Sequence, residues 1–186
     1  TNRVLNFNML TYIDEVGYRK VNTVATSCIA PSANIYDFIL DQYDILGDDP
    51  NAHLPRNANE LALVVDSYNR VDTTILSGLG FDTSGDTIKY KDIFGKKYRL
   101  ISNNEMYHVS GTYTDEDGNA YNEYDEYKAG RSEELYNDHA MVGLEPKITA
   151  VLRPKKNNPD PVFNTILLYH PDLLTRLIDD NANSNI

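Results

Sequence analysis

The chain has 186 residues, 28 acidic against 17 basic, for a net charge of -11. That length suffices for one domain or two small subdomains sharing a core. The acidic balance argues against nucleic acid or an anionic membrane face as the main partner, because the basic residues are too few and scattered to track phosphates.

Over the first thirty residues, weak alternation (Val4, Leu5, Phe7, Met9, then Val21, Val24 and Ile29) predicts two strands around a turn at Gly17. Ser32 is a candidate N-cap for a helix over residues 34–40, with Ile35, Phe38 and Ile39 as its apolar face. Tyr43 to Leu46 reads as a short extended segment that Gly47-Asp48-Asp49-Pro50 breaks. The polar approach Leu54-Pro55-Arg56-Asn57-Ala58-Asn59-Glu60 runs into five apolar residues, Leu61 to Val65, and stops at Asp66. Such a run predicts a buried strand entered from a surface loop. A helix over 72–79 follows, then a brief strand at 87–90, one helical turn closed by Gly95, and a strand at 97–101.

Residues 102–127 are polar and rich in tyrosine, with a hairpin turn predicted at Asp115-Glu116-Asp117-Gly118 between Thr112-Tyr113 and Ala120-Tyr121. Ser132 is a candidate cap for a short helix over 132–139. Ile148 to Leu152 reads as a strand stopped by Arg153-Pro154, and 155–161 as irregular chain, since its prolines lack a donor. A last strand is predicted over 164–169, and Pro171 opens a helix whose buried stripe is Leu173, Leu174, Leu177 and Ile178. Strands mixed with short helices, including two strand-then-helix units at 61–79 and 164–180, predict an α+β fold.

Neither apolar run, 61–65 or 165–169, approaches the ~20 residues of a spanning helix. The chain opens at Thr1 without a signal peptide and reads as a piece from which any targeting or membrane segment has been removed. Cys28 is the only cysteine, so the fold rests on its core and not on an internal disulfide.

Residues that carry chemistry are scattered. His53, His108, His139 and His170 have no metal-ligand spacing between them. Cys28 lacks the cationic or helix-terminal setting of a reactive thiolate. No nucleophile elbow or phosphate loop is present. Residues 115–126 offer oxygen ligands at positions 1, 3, 5, 9 and 12 of a calcium loop, but Ala120 occupies the position that needs glycine. Arg153, Lys155 and Lys156 form a basic cluster, read either as a contact loop for a partner or lipid head group or as a solvated loop. No catalytic, cofactor or metal residue is assigned on this basis.

The ordered segments Tyr43-Asp44-Ile45-Leu46, 54–60, Leu63-Val64-Val65-Asp66, Asn69-Arg70, Leu76-Ser77-Gly78-Leu79-Gly80, Asp92-Ile93-Phe94-Gly95-Lys96, 148–154 and 164–180 carry a resemblance. Together they resemble the extracytoplasmic domain of ABC transporter permeases of the macrolide-exporter (MacB/FtsX-like) class, in the form found in Gram-positive bacteria. The resemblance spans residues 36–182 and is weakest over 1–30 and 102–140. It implies one extracytoplasmic domain over 1–186, of two small α/β subdomains, with a core of 1–101 plus 141–186 and an insert of 102–140. It also implies a non-catalytic role outside the membrane, coupling conformational change and contacting exported peptide, lipoprotein or drug, or an accessory protein. The implied partners are a second permease copy and an ATPase in the cytoplasm that this domain does not touch; no cofactor and no nucleic acid are implied. The alternative is a freestanding surface module that binds carbohydrate or peptide through its tyrosines.

Overall fold

A computed structural model describes residues 8–14, 16–21, 26–29, 35–138, 144–158, 160–163 and 166–186. The fold is α+β, with strands and short helices mixed along the chain. Its centre is a five-stranded mixed sheet of β3 (Thr26–Cys28), β10 (Leu167–Tyr169), β5 (Glu60–Val64), β9 (Lys147–Pro154) and β4 (Tyr43–Ile45), in that order. β5 runs parallel to β9 and antiparallel to β10, while the edges β3 and β4 lie parallel to β10 and antiparallel to β9.

The unbroken apolar run at 61–65 has a direct cause: both faces of this sheet are covered, so alternation has no solvent side to report. Leu61, Leu63 and Val65 enter one core cluster with Ile148, Val151 and Leu167. Ala62 and Val64 point the other way, among Ala150, Leu152 and Leu168. The second face is closed by α1 (Ile35–Gln42), chiefly through Ile39, together with Leu54. The first face carries Leu79 and Phe81 beyond α2 (Thr73–Gly78), Ile93 of α3 (Tyr90–Ile93), and Leu173 and Leu177 of α6 (Pro171–Ala182). A register shift where β5 meets β9 leaves Thr149 without a partner strand residue. Its hydroxyl donates instead to the carbonyls of His53 and Leu61, at 2.9 and 3.3 Å, which ties the bulge to the loop before β5.

A second, antiparallel sheet is ordered β2 (Gly17–Lys20), β1 (Met9–Ile13), β6 (Arg99–Leu100). It is anchored from beneath by Tyr98, fully buried, whose hydroxyl donates to the Leu79 carbonyl at 3.1 Å. Gly80 lies against this sheet: φ is +81°, and a Cβ there would sit 2.6 Å from Thr11 Cγ2. Only glycine tolerates both the left-handed backbone and that approach. The Gly78-Leu79-Gly80 run is therefore the point where the chain leaving α2 turns under β1.

The third sheet is a two-stranded ribbon, β7 (Tyr107–Thr114) and β8 (Ala120–Glu126), reached from α4 (Asn103–Met106). After it, a 3-10 turn at Ala129–Arg131 leads into α5 (Ser132–Asp138). Leu135 of α5 and Met106 of α4 share a small core with Leu10 and Ile101.

Several expectations need correction. Residues 87–89 carry no strand, and Tyr90 already begins α3. β9 is not stopped at Arg153 but runs on through Pro154, which lies opposite Tyr43 of the edge strand β4. Phe38 and Ile178 leave their predicted apolar stripes, being 45% and 51% exposed. The helix α4 was not expected, and α5 begins at Ser132 itself, after the 3-10 turn. The proposed cap Ser32 and the strand start at 164–165 lie outside the described residues.

Candidate functional site

Two surfaces concentrate polar and aromatic groups. At the C-terminal ends of β5 and β9, a groove of about 780 Å³ is floored by Val65, Val71, Ile75 and Phe163 and rimmed by Arg70 and Lys155. Ligands of open sheets with parallel strands favour such carboxyl ends. The wall of the groove is a tight turn from Asp66 to Arg70. Asp66 accepts from the backbone N–H of Tyr68 and of Arg70, both at 2.8 Å, and from Arg70 Nε at 2.9 Å. Burial pushes the Asp66 carboxyl up, but these bonds outweigh it and hold the carboxyl below its ordinary value. Asn69, at φ 63°, makes the left-handed step that closes the turn. The outcome is an exposed Tyr68, 74% accessible, with the Arg70 guanidinium 4.7 Å from its ring centre.

The basic cluster predicted here is largely absorbed by the fold. Arg153 bonds Asp44 at 3.1 Å and Asn69 at 3.2 Å, and Lys155 Nζ donates to the Leu40 carbonyl at 2.6 Å. These contacts lock α1, β4 and the 66–70 turn to the end of β9. Among the described residues, Arg153 is the one of the three that makes an ion pair, with Asp44.

The second surface is the ribbon. None of its side chains from 107 to 126 is buried. Tyr113 and Tyr121 face each other across the strands with rings 5.2 Å apart and stacked, next to the turn. Two rows closer to the root, Glu123 stands opposite Gly111, and its carboxylate lies over the space a side chain at 111 would fill. The root is held by a Lys20–Glu126 ion pair, by the Tyr124 hydroxyl on the Asn185 carbonyl at 2.8 Å, and by His108 stacked on Tyr127 at 4.8 Å.

Beneath the root, three buried asparagines form a chain. Asn8 Nδ2 donates to Asn103 Oδ1 at 3.0 Å, Asn103 Nδ2 donates to Asn181 Oδ1 at 2.6 Å, and Asn181 Nδ2 donates to the Leu177 carbonyl at 2.9 Å. Beside them, Asn104 Oδ1 accepts from the Ser184 hydroxyl and the Asn185 N–H. The lead into β1 and the exit from α6 are thus stapled to α4, the helix that launches the ribbon.

The calcium-loop reading does not survive the geometry. Asp115 spends its carboxylate on the turn, accepting from the N–H of Asp117 and Asn119 and from the Asn119 amide. Glu123 and Glu126 lie on an extended strand, and at ~3.4 Å per residue Glu126 is roughly 20 Å from the tip. Carboxylates so spread cannot close on one ion. His53 sits 2.9 Å from the Leu54 carbonyl and 3.7 Å from Glu60, and His170 Nδ1 caps α6 by accepting the Asp172 N–H at 3.2 Å. Among the described residues no cluster of three metal-ligating side chains forms. His139 lies outside the described residues; Cys28 lies on β3, and its side chain is not described.

The residues that sequence reasoning missed are Tyr68, Asn103 and Lys96. Lys96 Nζ donates to the carbonyls of Tyr12 at 3.0 Å and Gly80 at 2.7 Å. Burial depresses its ammonium below the ordinary lysine range, against an opposing pull from Asp14. With both hydrogen bonds made to carbonyls, it acts as a clasp between β1 and the turn that follows α2. The signal for Tyr68 was legible as Asp66-Ser67-Tyr68-Asn69-Arg70, an Asx-type turn followed by a basic residue. No family model, curated protein or solved structure matches the chain. Among the described residues no helix is long and apolar enough to cross a membrane.

Proposed function

We propose that this chain is the extracytoplasmic domain of an ABC transporter permease of the macrolide-exporter class, acting without catalysis to couple conformational change across the membrane. The observation that carries this reading is the asparagine chain through Asn8, Asn103 and Asn181. A domain inserted between two membrane helices needs its incoming and outgoing segments side by side at one point. Here Asn8, just ahead of β1, and Asn181, in the last turn of α6, meet on a single side chain, that of Asn103.

Further support comes from where the family-like segments fall. Residues 43–46, 60–66, 148–154 and 166–180 supply β4, β5, β9, β10 and α6, which make up most of one doubly covered sheet and its helix. α4 is bonded to both the junction and the ribbon root, so a force on the ribbon would be felt at the junction without a flexible linker between them. In this reading ATP hydrolysis belongs to a cytoplasmic partner, a second permease copy completes the transporter, and the domain works on the outer face of the membrane.

A second reading, a freestanding module for carbohydrate or peptide, is favoured by one observation, the exposed Tyr113–Tyr121 stack. The gene separates them. The transporter reading expects about twenty consecutive apolar residues encoded shortly before Thr1 and again shortly after Ile186. A reading frame lacking both stretches refutes it and leaves the module.

A further inference from the structure

We infer that the free face of the β7–β8 ribbon is a docking surface for an extended, cationic peptide segment carrying arginine or lysine. The inference stands on this surface alone, whether or not the chain belongs to a transporter. A two-stranded ribbon with no buried side chain is at best marginally stable in water, and its outer edges offer unpaired backbone groups to a third strand. Something of matching chemistry completes it.

The residues say which chemistry. From Tyr107 to Glu126 the ribbon holds Asp115, Glu116, Asp117, Glu123, Asp125 and Glu126, and no Lys or Arg. The register sets Tyr113, Tyr121, Glu123 and Asp125 on one face, and Tyr124 on the other, turned to the body of the domain through Asn185. On the free face the stacked tyrosines form a platform that is 51% and 45% exposed. Glu123 lies two register rows away, ~7 Å along the strand, flat over Gly111. An aromatic face beside a carboxylate is a receptor for a guanidinium or ammonium group, which stacks on the ring and pairs with the acid. An anionic membrane or nucleic acid would be repelled, and so would the same ribbon of a second copy.

The test is calorimetric titration of the domain with a capped octapeptide of alternating Arg and Val, and with its Glu–Val counterpart, at low salt. The Arg peptide should bind and the Glu peptide should not. The double variant Glu123→Gln/Asp125→Asn should weaken binding at least tenfold, and Tyr121→Leu should do so with the charge unchanged. Asp37→Asn/Asp41→Asn removes the same charge from α1 on the far face of the sheet, and should change affinity less than twofold. Amide NMR shifts on binding should map to 107–126. No binding of the Arg peptide, equal weakening by the two charge-removing doubles, or shifts centred elsewhere would each overturn the proposal. If Tyr121→Leu loosens the ribbon, Glu123→Gln alone decides, since it leaves the cross-strand stack intact.

Discussion

The five-stranded sheet and the β7–β8 ribbon are built from the same pleated backbone, yet they answer to different forces. In the sheet, β5 and β10 bury nearly every side chain on both faces; in the ribbon no side chain is buried at all. The sheet is held by burial worth ~25 cal/mol per Å² of apolar area. The ribbon rests on cross-strand pairs worth roughly 0.2–1 kcal/mol each, and on its ties at the root. Stability therefore resides in the first region and adaptability in the second.

Mutations can sharpen that contrast. Leu63→Ala in β5 should cost about 2–5 kcal/mol in urea unfolding, whereas Val109→Ala, half exposed on β7, should stay within about 0.5 kcal/mol. Equal losses would mean that the ribbon is part of the core after all. Val64→Ala, on the opposite face of the same strand, should cost on the order of 1–3 kcal/mol.

Two further changes probe the joints. Gly80→Ala meets both a left-handed backbone and Thr11 at 2.6 Å, and should cost roughly 1–3 kcal/mol or more. Gly118→Ala, also left-handed but with open space around it, should cost only the backbone term of about 1–2 kcal/mol. Thermal melts that rank Gly118 above Gly80 would contradict the packing described. Asn103→Ala would leave the amides of Asn8 and Asn181 short of a partner, a loss of about 1–3 kcal/mol. Hydrogen exchange should rise both at β1 and at the end of α6 in that variant.

The smallest expected effect is a pH dependence. Asp66 is held below its ordinary value in the folded state, so its bonds add stability above pH ~3.8, and that increment is lost as pH falls through the lower folded pKa. Asp66→Asn should flatten the acid limb of the stability curve without moving the neutral plateau by much. An unchanged acid limb would show that the 66–70 turn is held by other contacts.

Much of the core was legible in the residues, and the exceptions share a cause. The run at 61–65 read as a buried strand, and Pro171 with its following leucines as the opening of a helix, and both are so in the fold. Phe38 and Ile178 misled because a helix on a sheet buries an i, i+4 ridge: Ile35 and Ile39 in α1, Leu173 and Leu177 in α6. The residue at i+3 or i+5 from such a pair falls on the flank, where a helix of only eight residues such as α1 has no second neighbour to cover it. The next place on the α6 ridge is Asn181, a polar residue whose burial makes sense only once Asn103 is known to face it. No local pattern announces a partner that far away in the chain, which is why the junction was invisible and the strands were not. The ribbon's tip, by contrast, was plain in Asp-Gly-Asn between tyrosines, because a turn is local chemistry.

The asparagine chain also sets an order of events during synthesis. Asn8 lies 95 residues before Asn103, and Asn103 lies 78 before Asn181. Among the described residues β3 likewise pairs only with β10, far later in the chain. Contacts so distant in sequence close slowly, since the loop entropy must be overcome before they reward it. β1 can pair with β2 as soon as both are made, but β3 waits without its partner until β10 emerges, and any translation pause before residue 167 would lengthen the interval in which its edge is open to the wrong neighbour.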